Sequence, residues 1–331
     1  MNASLVTDLA FSLDGPYTAG EITIAVTAAV GNFLVCVGVL LDRKMWTVTN
    51  YFLVSLSVAD MCVGAFAIPG ALLTSIGLPR YNLELCLLML SILIMLTMSS
   101  TFSLMAISVD RYIAILNPLR YKSIMTSSNS FIAIVIAWIV AFLSGLIPMM
   151  GWHKPPPGDG YCLFVHVIDM TYLVYFFSLV YFYLPVIIMF VIYTQIYAAV
   201  RKQLHGTVGG TAGKQGAGMK EFKTATSLFT IIFFFMLCWA PLHVMNAISL
   251  LCPHCYTPPV ILNIGIILTH ANSALNPIMY VYKLKSFRKS FKRVFLCRNS
   301  AVSPTKLKDQ TSIAHLRCET KERILIGHQL Y

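Results

Sequence analysis

Several polar side chains lie inside long apolar stretches of the sequence, where their desolvation is costly. Asp60 is the clearest case, because no other charged residue lies between Lys44 and Arg80. An ionisable group in such a stretch indicates a functional site. A carboxylate with neighbouring amides could hold a sodium ion or a water cluster; alternatively, these groups only hydrogen-bond neighbouring helices. The other members of the set are Asn32, Asn272, Ser273 and Asn276.

Catalytic chemistry finds no support in the sequence, which contains no nucleophile–base pair, metal-binding cluster or phosphate-binding loop. Hydrophobic residues make up 57% of the chain and charged residues 11%, whereas soluble domains average about 25% charged residues. This composition excludes an ordinary cytosolic enzyme. We therefore expect no enzymatic activity and no cofactor, apart from the sodium ion near Asp60. The net charge of +11 would suit nucleic acid, so the positions of the basic residues must decide.

The apolar residues form seven stretches that are uncharged except for Asp60 and long enough to cross a bilayer. A transmembrane helix needs roughly 20 mostly apolar residues, and backbone groups in lipid must be paired internally. The sequence therefore predicts an all-α membrane protein, a bundle of seven transmembrane helices within residues 22–282. The predicted spans are residues 22–41, 45–79, 85–109, 131–152, 170–200, 224–251 and 256–282.

The basic residues predict which side of the membrane each loop faces. If the N-terminus is outside, the outer loops contain only Arg80 and Lys154, and the other 22 of the 24 basic residues lie inside. This split is a strong positive-inside signal, and it explains the net charge without nucleic acid. We expect residues 1–21 to be extracellular, with Asn2 glycosylated in an Asn-x-Ser sequon, and the C-terminus to be cytoplasmic.

The residues after the seventh span divide into two segments. Residues 283–298 place phenylalanines at helical spacing opposite lysines and arginines, which predicts a short amphipathic eighth helix on the inner leaflet. Cys297 at the end of this helix is either palmitoylated or a plain reduced thiol. Residues 299–331 are polar, with scattered serine and threonine, and we expect them to form a disordered cytoplasmic tail.

The predicted topology sorts the nine cysteines by compartment. Four of them fall on the oxidising side, and this even number suits disulfides. Cys252 and Cys255 are close enough in sequence for a small bridge inside one outer loop. A zinc pair is the alternative for this spacing, although the chain has no second such pair. The other two cysteines on this side are Cys86 and Cys162.

Short motifs in the spans resemble those of the rhodopsin-like G-protein-coupled receptors. Asp110-Arg111-Tyr112 closes the third span, Cys238-Trp239-Ala240-Pro241 lies in the sixth, and Asn276-Pro277-Ile278-Met279-Tyr280 lies in the seventh. The resemblance extends from residue 21 to about residue 297, and it implies a disulfide between Cys86 and Cys162. Further matches are Gly31-Asn32, residues 56–60 (LSVAD), Trp138, Pro185 and Tyr193.

The same resemblance implies a conformational switch at the inner face. Arg111 would be held at rest by Asp110 and by Glu221 at the inner end of the sixth span, and released when that span swings outward. Tyr193 and Tyr280 would pair in the active state. Such an element is bistable, and a ligand shifts its equilibrium. The coupling set that the family implies is Asp110, Arg111, Tyr112, Glu221, Tyr193, Asn276, Pro277 and Tyr280.

The outer halves of the spans present neutral side chains that could surround a ligand. On the sixth span, Trp239, Leu242, His243 and Asn246 share one helical face. Leu93 lies where receptors for amines in this superfamily carry an aspartate, so a cationic ligand would have no counter-ion. An asparagine offers both a donor and an acceptor, which matches the edge of adenine that carries its amino group and N7.

The stretches that carry these residues resemble the adenosine receptors. They include residues 49–52 (TNYF), 110–115 (DRYIAI), 118–121 (PLRY), 148–152 (PMMGW), 240–246 (APLHVMN) and 269–277 (THANSALNP). By resemblance, Phe164 stacks on the purine, Asn246 pairs with its amino group, and Glu21 partners His270. A plain packing role is the alternative for Phe164, Asn246 and His243. The remaining ligand residues that the family implies are Leu242, His243, Trp239, Thr97, Leu93, Leu173, Ile266 and Thr269.

This resemblance implies a plasma-membrane receptor for extracellular adenosine that activates a heterotrimeric G protein, with arrestin, receptor kinases and membrane lipid as further partners. Residues 220–229 of the sixth span are most similar to the subtypes that inhibit adenylyl cyclase, whereas residues 113–115 are similar to the stimulatory subtypes. We expect inhibitory coupling, with stimulatory coupling as the alternative. The sequence also allows an orphan or lipid-mediator receptor of the same fold. A transporter is a further hypothesis, although the chain has none of the internal symmetry that many transporters show.

Overall fold

Seven long helices follow one another in the same order as the predicted spans. The computed structural model describes residues 14–156, 158–206, 212–252, 254–255, 258–283 and 287–289. The helices are α1 (Gly15–Leu41), α2 (Val48–Ser75), α3 (Leu83–Leu116), α4 (Ser127–Gly145), α5 (Tyr172–Tyr183 continued by Leu184–Gly206), α6 (Ala212–Leu251) and α7 (Pro259–Lys283). Short helices at Pro118–Ile124 and Phe164–Val167 lie in the connections after α3 and before α5.

The prediction of a seven-transmembrane bundle is confirmed. Six helices in the described residues are long and apolar enough to cross a membrane by themselves. The exception is α7, which is less apolar because it carries His270, Asn272, Ser273 and Asn276. All four side chains are buried, so the polar face of α7 points into the bundle rather than towards lipid.

Local capping sets several helix ends that hydrophobicity alone places less well. Thr47, Asn82 and Thr126 each accept a hydrogen bond from the backbone N–H three residues later, which defines the starts of α2, α3 and α4. At its C-terminal end α3 extends to Leu116, beyond the predicted end at residue 109. α6 begins at Ala212 rather than at the predicted residue 224. α4 ends at Gly145, before the predicted residue 152, and turns follow it.

Two disulfides lie at one end of the bundle, which we call the outer end; the opposite end is called the inner end. Cys86 near the start of α3 is joined to Cys162 in the loop before α5, and Cys252 after α6 is joined to Cys255. Both bonds agree with the pairs expected from the sequence. The first one holds the segment that carries Phe164 against the outer end of α3, where both cysteines are buried in a hydrophobic cluster.

Some sequence predictions fall outside the described residues. Asn2, Cys297 and residues 299–331 are among them, as are most residues of the predicted eighth helix. Residues 287–289 are helical, and Phe287 is buried against the Tyr280 ring with 5.7 Å between centroids. The division of the chain into the segments 1–21, 22–282, 283–298 and 299–331 therefore stays a prediction.

Helices α1 and α2 are in close backbone contact at Gly64. A Cβ atom at this position would lie 2.5 Å from the carbonyl oxygen of Ala25 and 2.8 Å from the backbone nitrogen of Ala29. Small residues permit such backbone contact between membrane helices. Gly64 also lies in a π-helical turn, Val63–Ala67, in the middle of α2.

We expect Gly64→Ala to destabilise the protein, because its methyl group would force α1 and α2 apart. Overpacking of this kind costs about 1–3 kcal/mol. Gly70→Ala, on the same helix, is the matched control, since its methyl group would meet only Met89 at 3.6 Å. Thermal unfolding in detergent micelles measures both changes. Equal unfolding temperatures for the two variants would contradict the proposed contact.

Candidate functional site

Asp60 is fully buried where α2, α3 and α7 meet. Its Oδ1 accepts hydrogen bonds from the hydroxyls of Ser100 at 2.8 Å and Ser273 at 2.9 Å, and its Oδ2 accepts one from the Asn276 amide at 2.6 Å. These three hydrogen bonds replace those to water that the carboxylate loses on burial. One side chain thus joins three helices.

The predicted sodium or water site coincides with this cluster only in part. Asn276 contacts Asp60 as expected, whereas in the described part of the chain no hydrogen bond joins Asn272 to Asp60. Ser100 belongs to the cluster although the sequence did not single it out, because a serine in an apolar stretch usually bonds only its own helix. The carboxylate and the two hydroxyl oxygens are hard ligands that fit a sodium ion. The same contacts also fit a purely structural hydrogen-bond cluster.

Glu21 and His270 join the outer halves of α1 and α7. The Glu21 Oε2 lies 2.7 Å from the His270 Nδ1, and the two side chains are 0% and 9% exposed. The structure thus brings together two residues that lie 249 positions apart in sequence. The second carboxylate oxygen, Oε1, is buried, and no hydrogen bond to it is seen among the residues that the structure describes. Tyr17, one helical turn earlier on α1, lies close to the same carboxylate.

The predicted walls of the ligand pocket lie in the outer half of the bundle. Phe164, Leu93 and Leu173 belong to one hydrophobic cluster between α3, α5 and the preceding loop. Asn246 is half-buried on α6, and no hydrogen bond of its side chain is seen within the described residues. Its amide is therefore available to a ligand. The other half-buried residues of the predicted set are Thr97, Trp239, Leu242 and Ile266.

The hydroxyls of Thr97 and Thr269 are turned back onto their own helices. Thr97 donates to the Leu93 carbonyl at 2.9 Å, and Thr269 donates to the Ile266 carbonyl at 2.7 Å. Each hydroxyl oxygen keeps its lone pairs. In this conformation both threonines can accept a hydrogen bond from a ligand hydroxyl but do not donate one.

His243 has the environment of a packing histidine, the alternative that the sequence left open. Only 3% of the residue is exposed, and its Nδ1 lies 2.7 Å from the Ser178 hydroxyl. Its ring stacks on Phe182 with 4.0 Å between centroids and is also close to Phe177 and Trp239. The expected contact with ribose is therefore not supported by this arrangement, because rings from α5 and α6 cover the imidazole. Ser178 and Phe182 were not indicated by the sequence.

Asp110 organises the inner face of the bundle. Arg111 donates to its Oδ2 from both Nε (2.9 Å) and Nη2 (2.6 Å), Thr49 of α2 donates to the same oxygen at 2.7 Å, and Tyr121 donates to Oδ1 at 2.8 Å. Arg111 also donates to the Thr49 hydroxyl. The Glu221 side chain lies outside the described part of the chain, so its pairing with Arg111 stays a prediction.

Tyr121 links this cluster to the short helix Pro118–Ile124. Burial and the neighbouring Asp110 carboxylate raise the pKa of the Tyr121 phenol to about 12. The hydroxyl therefore stays protonated throughout the physiological range and remains a hydrogen-bond donor to Asp110. The sequence resemblance did not identify this residue or Thr49 as members of the switch.

Three tyrosines of the predicted coupling set differ in their contacts. Tyr112 donates to the Gln195 side chain at 3.0 Å and so connects α3 with α5. Within the part of the chain that the structure describes, the hydroxyls of Tyr193 and Tyr280 are both buried without a hydrogen-bond partner, although the two rings belong to the same inner hydrophobic cluster. The two phenols are thus not paired with each other in this conformation, and their pairing in an active state stays a prediction.

Comparison with known proteins agrees with the pattern of these residues. Residues 31–280 match the family described as 7 transmembrane receptor (rhodopsin family). The chain is 39% identical over 295 residues to the adenosine receptor A2a of Homo sapiens, covering 84% of this chain and 71% of the relative. The A2a receptor of Canis lupus familiaris is 38% identical with the same coverage. The adenosine receptor A2b of Rattus norvegicus is 40% identical over 300 residues, covering 85% and 90% of the two chains.

The contact between Glu21 and His270 predicts strong energetic coupling. Glu21→Gln replaces the carboxylate opposite His270 by a neutral amide, and His270→Ala leaves the buried carboxyl without its partner; a lost partner of a buried polar group costs about 1–3 kcal/mol. The double variant should lose far less than the sum of the two single losses. Thermal unfolding in micelles tests this cycle, and Glu84→Gln at an exposed position on α3 is the control. Additive losses would show that the two side chains do not interact.

Proposed function

The chain belongs to the adenosine receptors, within the rhodopsin family of seven-transmembrane receptors, and we propose that it is a plasma-membrane receptor for extracellular adenosine. The observation that carries the proposal is the similarity to A2a and A2b receptors, which extends over 84% or more of the chain. The similarity therefore includes every helix that lines the pocket. An isolated motif would not justify naming the ligand.

The chemistry of the pocket supports a neutral nucleoside as the ligand. Phe164, Leu93 and Leu173 supply aromatic and aliphatic surfaces for a purine ring. Asn246 offers a donor and an acceptor to the adenine edge. On α7, Thr269 and the His270–Glu21 pair supply polar groups within reach of a sugar. The pocket offers no counter-ion at Leu93 for a cationic amine.

Ligand binding would be transmitted inward along α6. Trp239 packs between His243 and Phe235, with centroid distances of 5.8 Å and 6.1 Å. Phe235 in turn packs against Phe182 of α5 at 5.9 Å. Pro241 lies inside α6 between Trp239 and Asn246, and a proline inside a helix removes one backbone hydrogen bond and favours a bend there. A displacement at Asn246 can therefore change the angle of the inner half of α6.

The inner end of the switch is the cluster around Asp110. In our proposal, Glu221 of α6 also holds Arg111 at rest. Outward movement of α6 then frees Arg111 and opens a cavity for a heterotrimeric G protein. The two conformations are alternatives of one bundle, and adenosine stabilises the open one by binding it more tightly. Receptor kinases and arrestin would then act on the cytoplasmic face.

We propose that the N-terminus is extracellular and the C-terminus cytoplasmic. Two observations support this orientation. Both disulfides lie at the end of the bundle that contains the start of α3 and the end of α6, and disulfides form on the oxidising side of a membrane. The basic residues are concentrated at the opposite end, as the positive-inside rule requires.

The coupling expected from the sequence needs revision. Residues 220–229 favoured inhibition of adenylyl cyclase, whereas the A2a and A2b relatives favour stimulatory coupling, the alternative indicated by residues 113–115. The side chains of 220–228 lie outside the described part of the chain, so their local similarity has no structural support. We therefore propose stimulatory coupling.

Asn246→Ala tests the proposed purine contact. The variant removes both partners of the adenine edge, and a bidentate pair of this kind contributes roughly 1–3 kcal/mol. Adenosine affinity should therefore fall about tenfold or more. Radioligand competition on purified receptor measures the change. Val244→Ala is the control, because this side chain lies on the same helix but is 50% exposed on its outer surface.

Asn246→Asp separates the two halves of the contact. An aspartate keeps the acceptor and loses the amide donor, so its affinity should fall below that of the native receptor. Native affinity in a folded Asn246→Ala protein would contradict the assignment of Asn246 to the purine edge, while leaving the family and the fold unaffected.

Cyclic AMP in cells without other adenosine receptors tests the coupling. We expect adenosine to raise cyclic AMP in untreated cells, without sensitivity to pertussis toxin. The Asn246→Ala variant should need a higher adenosine concentration, by the same factor as its loss of affinity. A toxin-sensitive fall in forskolin-treated cells would instead establish inhibitory coupling with the same ligand. If the receptor is present at the surface but adenosine neither binds nor changes cyclic AMP, the result would favour an orphan or lipid-mediator receptor.

A further inference from the structure

A groove of about 500 Å³ lies between α1 and α7 on the outside of the bundle. It is separate from the pocket described above, which lies between α3, α5, α6 and α7. Leu34 on α1 and Val281 on α7 line its walls, and Arg288 lies at one end. Among the described residues that line the groove, Arg288 is the one cation, and most of the others are apolar.

The close approach of α1 to a proline shapes this groove. A Cβ atom at Gly31 would lie 2.8 Å from the Cγ of Pro277, so only a glycine lets the two helices touch here. Below this contact the helices leave a space that Leu34 and Val281 border. The Thr27 hydroxyl donates to the Thr23 carbonyl at 2.7 Å, so it is already satisfied. This part of the wall therefore offers few free hydrogen-bonding groups to water.

Arg288 is held at the inner end of the groove by its neighbour. Phe287 is 1% exposed and packs against Tyr280 of α7, which fixes the segment 287–289 beneath the bundle. Arg288 itself is exposed, and within the described residues its guanidinium makes no hydrogen bond or ion pair. The sequence around it is basic throughout, with six lysines and arginines and no acidic residue between 283 and 293.

We propose that this groove binds one anionic phospholipid of the inner leaflet, with an acyl chain between α1 and α7 and the phosphate at Arg288. A guanidinium binds phosphate through two parallel hydrogen bonds, and basic residues at this depth attract anionic lipids. The apolar wall faces hydrocarbon, so an acyl chain fills it without desolvating polar groups. A neutral sterol would leave the cation unused.

Native mass spectrometry of the receptor in micelles tests the charge requirement. Phosphatidylserine is titrated against phosphatidylcholine with the same chains, for the native protein, Arg288→Gln and Lys289→Gln. Lys289 is the matched control, because it is the next residue, is exposed and does not line the groove. Non-specific attraction contributes about fivefold per basic residue, and both variants lose it. A bound phosphate predicts at least about a further fivefold loss for Arg288→Gln alone. Equal losses, or equal binding of the two lipids, would overturn the proposal.

A second pair of variants tests the acyl chain. Val281→Trp fills the groove, whereas Val140→Trp places the same side chain on α4 at a valine of similar exposure, 39% against 38%. Only Val281→Trp should lose the bound phosphatidylserine, with the thermal unfolding temperature of both variants near that of the native protein. Competition by glycerol 3-phosphate as effective as by the lipid would reveal a bare anion site and overturn the proposal. A change from dimer to monomer in Val281→Trp, with lipid binding retained, would identify the face as an interface between copies and overturn it too.

Discussion

The absence of water in the hydrocarbon core is the constraint on which the rest of this structure depends. Each buried polar group must find its partner within the bundle, because no solvent can replace a missing one. Asp60 meets this condition with donors from α3 and α7. The Asn32 side-chain nitrogen of α1 does so by donating to the carbonyls of Ala28 and Ser273, both at 2.9 Å, whereas its Oδ1 is buried with no hydrogen bond seen within the described residues. The polar residues that look anomalous in the sequence are therefore those that fix how α1, α2, α3 and α7 pack.

The same constraint gives meaning to the polar groups that lack partners. Among the buried side-chain atoms that find no hydrogen-bond partner within the described residues are the Trp239 indole nitrogen and the hydroxyls of Tyr193 and Tyr280, and each such group costs free energy. Trp239 lies on α6, the helix that the proposed switch would move, and Tyr193 and Tyr280 are the pair that the switch would join. A second conformation that pairs these groups would recover part of this cost. The described conformation and its alternative can thus be close in free energy, as a ligand-operated equilibrium requires.

The sequence was most informative about features that depend on local composition. Seven long apolar stretches located the helices. Their position is predictable because side chains that face lipid need to be apolar but need no specific partner. His243 shows where local reasoning stops, because its helical position beside Asn246 suggested a ligand contact while Phe182, 61 residues earlier, covers its ring. Four outer cysteines allow three pairings, so the Cys86–Cys162 bond was available only through the family resemblance. The start of α6 was missed because its first turns are rich in glycine and polar residues, which predict a loop.

The two ends of the bundle are held together by different means, and this difference suits a receptor. At the outer end, the Cys86–Cys162 disulfide ties the loop that carries Phe164 to α3, the Glu21–His270 contact joins α1 to α7, and the Cys252–Cys255 disulfide closes a short loop after α6. A disulfide restricts the chain without any need for an alternative partner. At the inner end, Arg111, Thr49 and Tyr121 are held to Asp110 by hydrogen bonds and an ion pair alone, and these can be exchanged for contacts with a partner protein. A pocket held by covalent bonds recognises its ligand in one geometry, while an inner face held by exchangeable polar contacts is free to open. The distribution of bonds thus places rigidity where recognition needs it and conformational freedom where coupling needs it.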